Sequence, residues 1–417
     1  MKINKYSFGI GDRFSHEGIA QLKALDNAKK QGIEITPVWN KSNREHNIIH
    51  STPEDTRRSA DKSVKQFNWK GKYFVDADHI NLSNVDKFID SSDFFTIDVA
   101  DYIGKKADNA FIEKFVQQNS NFIERLRIPG VSDNFKITGQ ELELIAGNYL
   151  FAILEAGKIY RHIEDRKGAE NFITEISMDE VNDPQSPLEL FFILSAISSE
   201  KIPLQTIAPK FTGRFNKGVD YIGNIEQFYK EFEEDLLVID YAVKEFGLSE
   251  NLKLSIHSGS DKFSIYPVMG KLIKKYNKGI HVKTAGTTWL EELIGLAIAG
   301  EEPLDLVKSI YSIALTRLDE LCSPYASVID IDRNKLPSSI EMLDWNGEKF
   351  ANTLRHIPGN PDYNPNVRQL LHVGYKVAAE YGIEFISNIE KYSQVIGPQV
   401  TDNLYKRHIF RLFELEE

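Results

Sequence analysis

The chain has 417 residues, a formal net charge of -11 and one cysteine, Cys322. That excludes an intramolecular disulfide and any Cys-rich zinc site, so a metal here would need His and carboxylate ligands. The basic residues are dispersed and no run approaches the roughly 18 apolar residues of a membrane span, which argues against nucleic acid or a membrane as partner.

Read in chain order, short apolar runs alternate with helical patterns. The strand-like runs are Tyr6–Gly11, Ile35–Asn40, Tyr73–His79, Phe94–Asp98, Phe172–Asp179, Leu204–Phe211, Leu252–Ser258 and Ile280–Thr284. Helical patterns follow most of them, clearest over 16–31, 223–247, 263–277 and 287–299. Eight such βα units predict a (β/α)₈ barrel over residues 1–300. The gap between the fourth and fifth strands is too long for a simple crossover and predicts a helical insertion at about 104–170. After residue 300 the strand signal stops, and helical patterns near 303–321, 366–381 and 386–413 predict a C-terminal helical extension over 301–417, packed on the barrel. An open doubly wound sheet is the rival. Its dinucleotide turn fails here, because Phe14 stands where Gly9-Ile10-Gly11 needs a third glycine, so no nicotinamide is expected. The N-terminus, Met1-Lys2-Ile3-Asn4, carries no apolar leader, and the cytoplasm is the expected location.

In a barrel, alternate strand residues point inward and the chemistry sits at the C-terminal strand ends. Apolar residues mark the helix-facing phase, so Asp76 and Asp78, Thr96 and Asp98, Glu175, Ser177 and Asp179, Ser255 and His257, and His281 and Lys283 face the interior. That many ionisable groups in one enclosed volume need pairing, a metal or a charged ligand. Two imidazoles among carboxylates suit a divalent cation such as Zn, Mn, Co, Ni or Fe, with Glu175, His257 and His281 as ligands and Asp78 as a fourth or supporting group. A metal-free network of buried ion pairs is the alternative. Substrate contacts are expected from Arg13 and Asp12 after the first strand, Asn40 after the second, His79 after the third and Lys210 after the sixth. The loops His257-Ser258-Gly259-Ser260-Asp261-Lys262 and Lys283-Thr284-Ala285-Gly286-Thr287 add Ser258, Ser260, Lys262 and Thr284. Hydroxyls and backbone N–H groups at a helix start suit an oxyanion, although Ser260 or Thr287 could simply cap a helix. Arg368 and His372 are i, i+4 neighbours in the extension that could reach the barrel mouth or stay on the surface.

Several blocks resemble the bacterial tagaturonate epimerase family. They are Ser7-Phe8-Gly9-Ile10-Gly11-Asp12-Arg13, Asp76-Ala77-Asp78-His79, Phe95-Thr96-Ile97-Asp98, Ser177-Met178-Asp179-Glu180 and Lys217-Gly218-Val219-Asp220-Tyr221. The two long loops after the seventh and eighth strands match best, and Asn366-Val367-Arg368-Gln369-Leu370 also fits. The chain departs from the family pattern at Trp39-Asn40-Lys41-Ser42 and at Tyr102, where a histidine is expected. The resemblance implies a metal-dependent enzyme interconverting tagaturonate and fructuronate, or a related ketose pair such as tagatose and fructose. The two hexuronates differ at the carbon β to the ketone, so α-proton abstraction cannot invert it. Transient oxidation by a bound nicotinamide, for which no dinucleotide turn is visible, and retro-aldol cleavage with re-addition are the two routes that can, and the second is expected. Asp179 and Asp98 are then the expected acid/base groups, and Lys283, with Lys210 and Arg13, the expected partner of the carboxylate or aldehyde oxygen. A metal-dependent sugar or sugar-phosphate isomerase or aldolase is the alternative on the same barrel, and a homo-oligomer is left open.

Overall fold

In the computed structural model, which describes residues 1–131, 137–257, 261–357 and 359–415, eight parallel strands close into a barrel in sequence order. They are β1 (Tyr6–Ile10), β2 (Ile35–Ser42), β3 (Phe74–Ile80), β4 (Phe94–Asp98), β5 (Ile173–Ser177), β6 (Leu204–Ala208), β7 (Lys253–Ile256) and β8 (Ile280–Lys283). β8 pairs with β1, Ser7 opposite His281, and this closure excludes the open sheet. The helix-facing residues Phe8, Val75, Ala77, Ile97, Ile176, Leu254 and Val282 are buried, as the alternation requires.

The outer helices are α1 (Gly18–Lys30), α2 (Asn43–Ile49), α3 (Pro53–Phe67), α4 (Asn109–Asn119), α5 (Gly139–Lys167), α6 (Pro187–Ser199), α7 (Ile225–Phe246), α8 (Tyr266–Lys275) and α9 (Thr288–Ala299). Their starts are chemically marked. Thr138 with Glu141 opens α5 and Ser186 with Glu189 opens α6, each a reciprocal capping box that satisfies otherwise orphaned N–H groups. The long segment between β4 and β5 holds α4 and α5. The 29-residue α5 packs on β4 and α6, so it is also the crossover helix of that unit.

Strands β5, β6 and β7 stop earlier than their apolar runs suggest, at Ser177, Ala208 and Ile256. The ladder ends there, with the Met178 N–H still reaching the Ala208 carbonyl at 2.9 Å. Asp179, Lys210 and His257 are thereby released onto the loops at the barrel mouth.

From Glu301 onward the described residues form helices joined by loops, and these pack on α9 and α1 around Trp289, Leu290, Leu293, Val307, Tyr311, Leu370 and Phe385. The Trp289 indole donates to the Leu371 carbonyl at 2.6 Å, joining α9 to the helix Pro365–Val373. The chain end returns to the barrel wall, where a side chain at Gly270 of α8 would meet the Leu412 carbonyl at 2.0 Å. No helix among the described residues is long and apolar enough to cross a membrane.

Candidate active site at the barrel mouth

A pocket opens at the C-terminal ends of the strands. Its wall carries Asp78 and His79 from β3, Asp179 and Glu180 after β5, Lys210 after β6, His257 after β7 and Lys283 from β8. Arg13, just after β1, and Asn40 of β2 also line it, and His372 reaches it from the C-terminal extension.

Lys283 holds the floor together. Its ammonium lies 2.9 Å from Asp76, 2.7 Å from Asp78 and 3.1 Å from Glu175, and it donates to the Thr96 hydroxyl at 2.6 Å. Burial would strip its proton, yet these carboxylates hold it well above the usual lysine value. Burial likewise opposes the ionisation of Glu175, but Lys283 and His257 keep it well below its usual range. Asp76, deeper in the barrel, is pushed up to about 7 by burial, against the pull of Lys283.

Above this floor lies the donor cluster. Nδ1 of His79 is 2.9 Å from Asp78 Oδ1, and its Nε2 is 3.6 Å from Asp179 Oδ1. His257 places Nδ1 3.0 Å from Asp179 and Nε2 2.8 Å from Glu175. The Ser177 hydroxyl donates to Asp179 at 2.5 Å. Among the described residues, His79, Asp179 and His257 form the group whose ligand atoms all lie within 4.8 Å of one another. His79 Nε2 and Glu175 Oε2 are buried without a hydrogen-bond partner there, atoms that a cation would satisfy. Burial disfavours charge on both imidazoles, yet Asp78 raises His79 well above its ordinary value and Asp179 raises His257 to about 8. The donor set therefore fits a divalent cation, with Asp78 fixing the His79 tautomer from behind.

The expected residues divide. His281 is fully buried one layer deeper, because Ser255 of β7, not His257, stands opposite it in the register. Its Nδ1 contacts the Ser7 hydroxyl at 2.9 Å, its ring packs on Phe94, and burial lowers it to about 3. The structure does not group it with His79, Asp179 and His257. Asp12 accepts the His16 and Glu17 N–H groups at 3.0 Å each and so organises the start of α1. Lys262 donates to the Asn216 and Val219 carbonyls at 2.8 and 2.7 Å. The Thr284 hydroxyl donates to Gly9 at 3.1 Å. Asp12, Lys262 and Thr284 are buried and spend these polar groups on the scaffold, off the pocket wall. Ser258 and Ser260 lie outside the described residues. Thr287 donates to Thr284 instead of capping α9.

Asp98 accepts the Ala100 N–H at 3.0 Å beside the cluster, and burial raises its carboxyl, opposed by His79. Arg13 pairs with Glu45 and lies over the Tyr375 ring at 4.6 Å. Tyr102, where the family pattern has a histidine, packs its ring on Phe151. Sequence reasoning assigned no role to Glu180 or Lys217, although both lie in blocks that carry the family resemblance, and the structure places both on the pocket wall. Arg368 proves fully buried, bound to Asp261 at 2.5 Å, and locks the extension to the loop that leads into α8.

A closed parallel barrel whose mouth gathers imidazoles, carboxylates and a paired lysine is the architecture of a (β/α)₈ barrel enzyme. The chain belongs to the UxaE tagaturonate epimerase family, whose model matches residues 1–394. It is 29% identical over 384 residues to the tagaturonate/fructuronate epimerase of Thermotoga maritima, covering 88% of this chain and 72% of that protein. The fold is also that of the fructuronate-tagaturonate epimerase of Cohnella laeviribosi. A glycerol-complexed structure of that protein matches with a TM-score of 0.80 at 22% identity, over 100% of this chain and 82% of that one. Its native structure matches with a TM-score of 0.79 at 21% identity, over the same shares.

Proposed function

We propose that the chain interconverts D-tagaturonate and D-fructuronate by reversible cleavage of the bond between the carbons α and β to the ketone. The observation that carries this reading is the His79, Asp179 and His257 donor set on the pocket wall of a tagaturonate epimerase family member. His79, His257 and Asp179 would hold a divalent cation, with Glu175 beside His257. When bound, the cation supplies Lewis-acid stabilisation of negative charge on the ketone oxygen.

The residues of the chain do the rest. A carboxylate takes the proton of the β-hydroxyl as the carbon–carbon bond breaks, leaving an aldehyde and an enediolate. The aldehyde turns by half a rotation, the bond re-forms on its other face, and the new alkoxide is reprotonated. No atom is gained or lost. With Asp179 engaged by the imidazoles, Asp98 and Glu180 are the carboxyl groups assigned to proton transfer. Asp98 suits it, since burial moves its value towards the working pH. Lys283 keeps Asp78 and Glu175 ionised and holds Asp76 in place beneath them. The closed pocket floor restrains the two fragments from escaping between cleavage and re-addition.

The test is product identity. Metal-replete protein is incubated with D-tagaturonate and followed by carbon NMR. Fructuronate as the product, without fragments and without added nicotinamide, supports epimerisation. An aldose acid would mean an isomerase, and accumulating three-carbon fragments would mean an aldolase.

A further inference from the structure

Most cations near the site are already engaged. Lys283 is held by Asp76, Asp78 and Glu175, and Lys262 by two carbonyls. Lys41 donates to the Arg13 carbonyl and the Ser15 hydroxyl, while Arg13 pairs with Glu45. Lys210 and Lys217 differ. Both line the pocket, and among the described residues neither ammonium forms an ion pair with a carboxylate. Lys210 lies over the Phe215 ring at 5.9 Å, and burial lowers its value although Asp179 and Glu180 oppose this. Such an ammonium gains from an anionic ligand.

His372 stands in the same pocket, contributed by the extension. It is 2% exposed, and its Nε2 is buried with no partner among the described residues. Its ring packs against Gly218, where a side chain would come within 3.4 Å of it, next to Lys217 in sequence. The helix that carries it is fixed from two sides, by the Trp289 bond to Leu371 and by the Arg368 bond to Asp261. Burial and then Arg13 and Lys217 keep the imidazole neutral, so it presents a directed hydrogen-bonding nitrogen.

We infer that Lys210, Lys217 and His372 form the subsite that receives the carboxylate of the substrate, and that the C-terminal extension thereby takes part in choosing a sugar acid over a neutral sugar. Two ammonium groups and one imidazole match a single carboxylate with charge-assisted hydrogen bonds. The subsite rests on the epimerase reading for the identity of the sugar. The preference for an anionic polyol over a neutral one follows from the unpaired cations.

The experiment is calorimetric titration of metal-replete wild type, Lys217→Gln and His372→Gln. The titrants are a pre-equilibrated tagaturonate–fructuronate mixture and a pre-equilibrated tagatose–fructose mixture, neither of which changes composition during the run. Loss of one charge-assisted contact weakens sugar-acid binding about 30-fold and narrows the gap between the two mixtures. Melting temperatures identify any variant that fails to fold, and Lys217→Gln, in a half-exposed loop, serves if His372→Gln does. Equal weakening of both mixtures, or none, would overturn the inference. If the wild type prefers the acid but turns over neither pair, and both variants lose that preference, the subsite stands and the epimerase reading falls.

Discussion

His79 Nδ1 lies 2.9 Å from the carboxylate of Asp78, its neighbour in the chain, while its Nε2 is turned towards Asp179. The backbone makes this possible. The β3–β4 register shifts between Ala77 and Ile80, and His79 adopts a positive φ of 54°. A bulge re-aims a side chain that simple alternation would send to the helix layer, and the left-handed residue at that point is strain held at the candidate site. Asp78→Asn weakens the hold on the tautomer, so metal affinity falls about 10- to 100-fold. Competition with a chromophoric chelator measures it. Unchanged affinity would remove Asp78 from the support of the site.

Lys283 is held as a cation, since its carboxylate neighbours outweigh burial and raise it well above its ordinary value. It cannot act as a free amine at neutral pH, so borohydride added during turnover attaches no sugar to it. Mass spectrometry of the treated protein checks this, and a reduced adduct on Lys283 would replace the proposed chemistry with an imine route. Lys283→Met leaves buried carboxylates without their counter-charge and destabilises the fold by about 3–5 kcal/mol, read from urea unfolding.

Asp98→Asn removes a group assigned to proton transfer but none of the donor atoms. The kcat falls by about 100-fold or more while metal content per chain stays at the wild-type level. Elemental analysis alongside the rate separates the two effects. A parallel loss of metal would make Asp98 a structural support of the cluster.

Asp261 sits fully buried against Arg368, with His356 and His408 at 3.2 Å each. Burial opposes its charge, but Arg368 holds it well below its ordinary value of 3.8. Its ionised form therefore contributes stability that is fully present above that ordinary value and is lost as pH falls below it towards the folded-state value. Asp261→Asn costs about 3–5 kcal/mol at neutral pH, and the gap to wild type narrows on acidification below pH 3.8. Urea titrations of both proteins at several pH values test this. A gap that widens in acid would contradict it.

The barrel was legible because its strands carry two signals at once, apolar residues towards the helices and polar ones inward. Strand ends were less so. Phe172–Asp179 reads as one run, but β5 stops at Ser177 because the ladder partner on β6 runs out at Ala208, and that depends on a neighbour distant in sequence. The same limit explains the donor set. His257 and His281 look equivalent along their strands, yet the β7–β8 register sets them one layer apart. His79 was visible as a polar residue at the end of the third strand, but not as a partner of Asp179, because the bulge that turns it leaves no mark in an alternation pattern. His372 reaches the pocket through packing of the extension on α9, a tertiary relationship that periodicity does not encode.

The most direct test of the account is the rate of tagaturonate–fructuronate interconversion, followed by NMR, in one preparation of protein before chelation, after it and after return of each candidate cation. The account predicts that chelation abolishes turnover, that at least one divalent cation restores it, and that His79→Ala and His257→Ala are not restored. Full activity in chelated protein shown to be free of metal would contradict it.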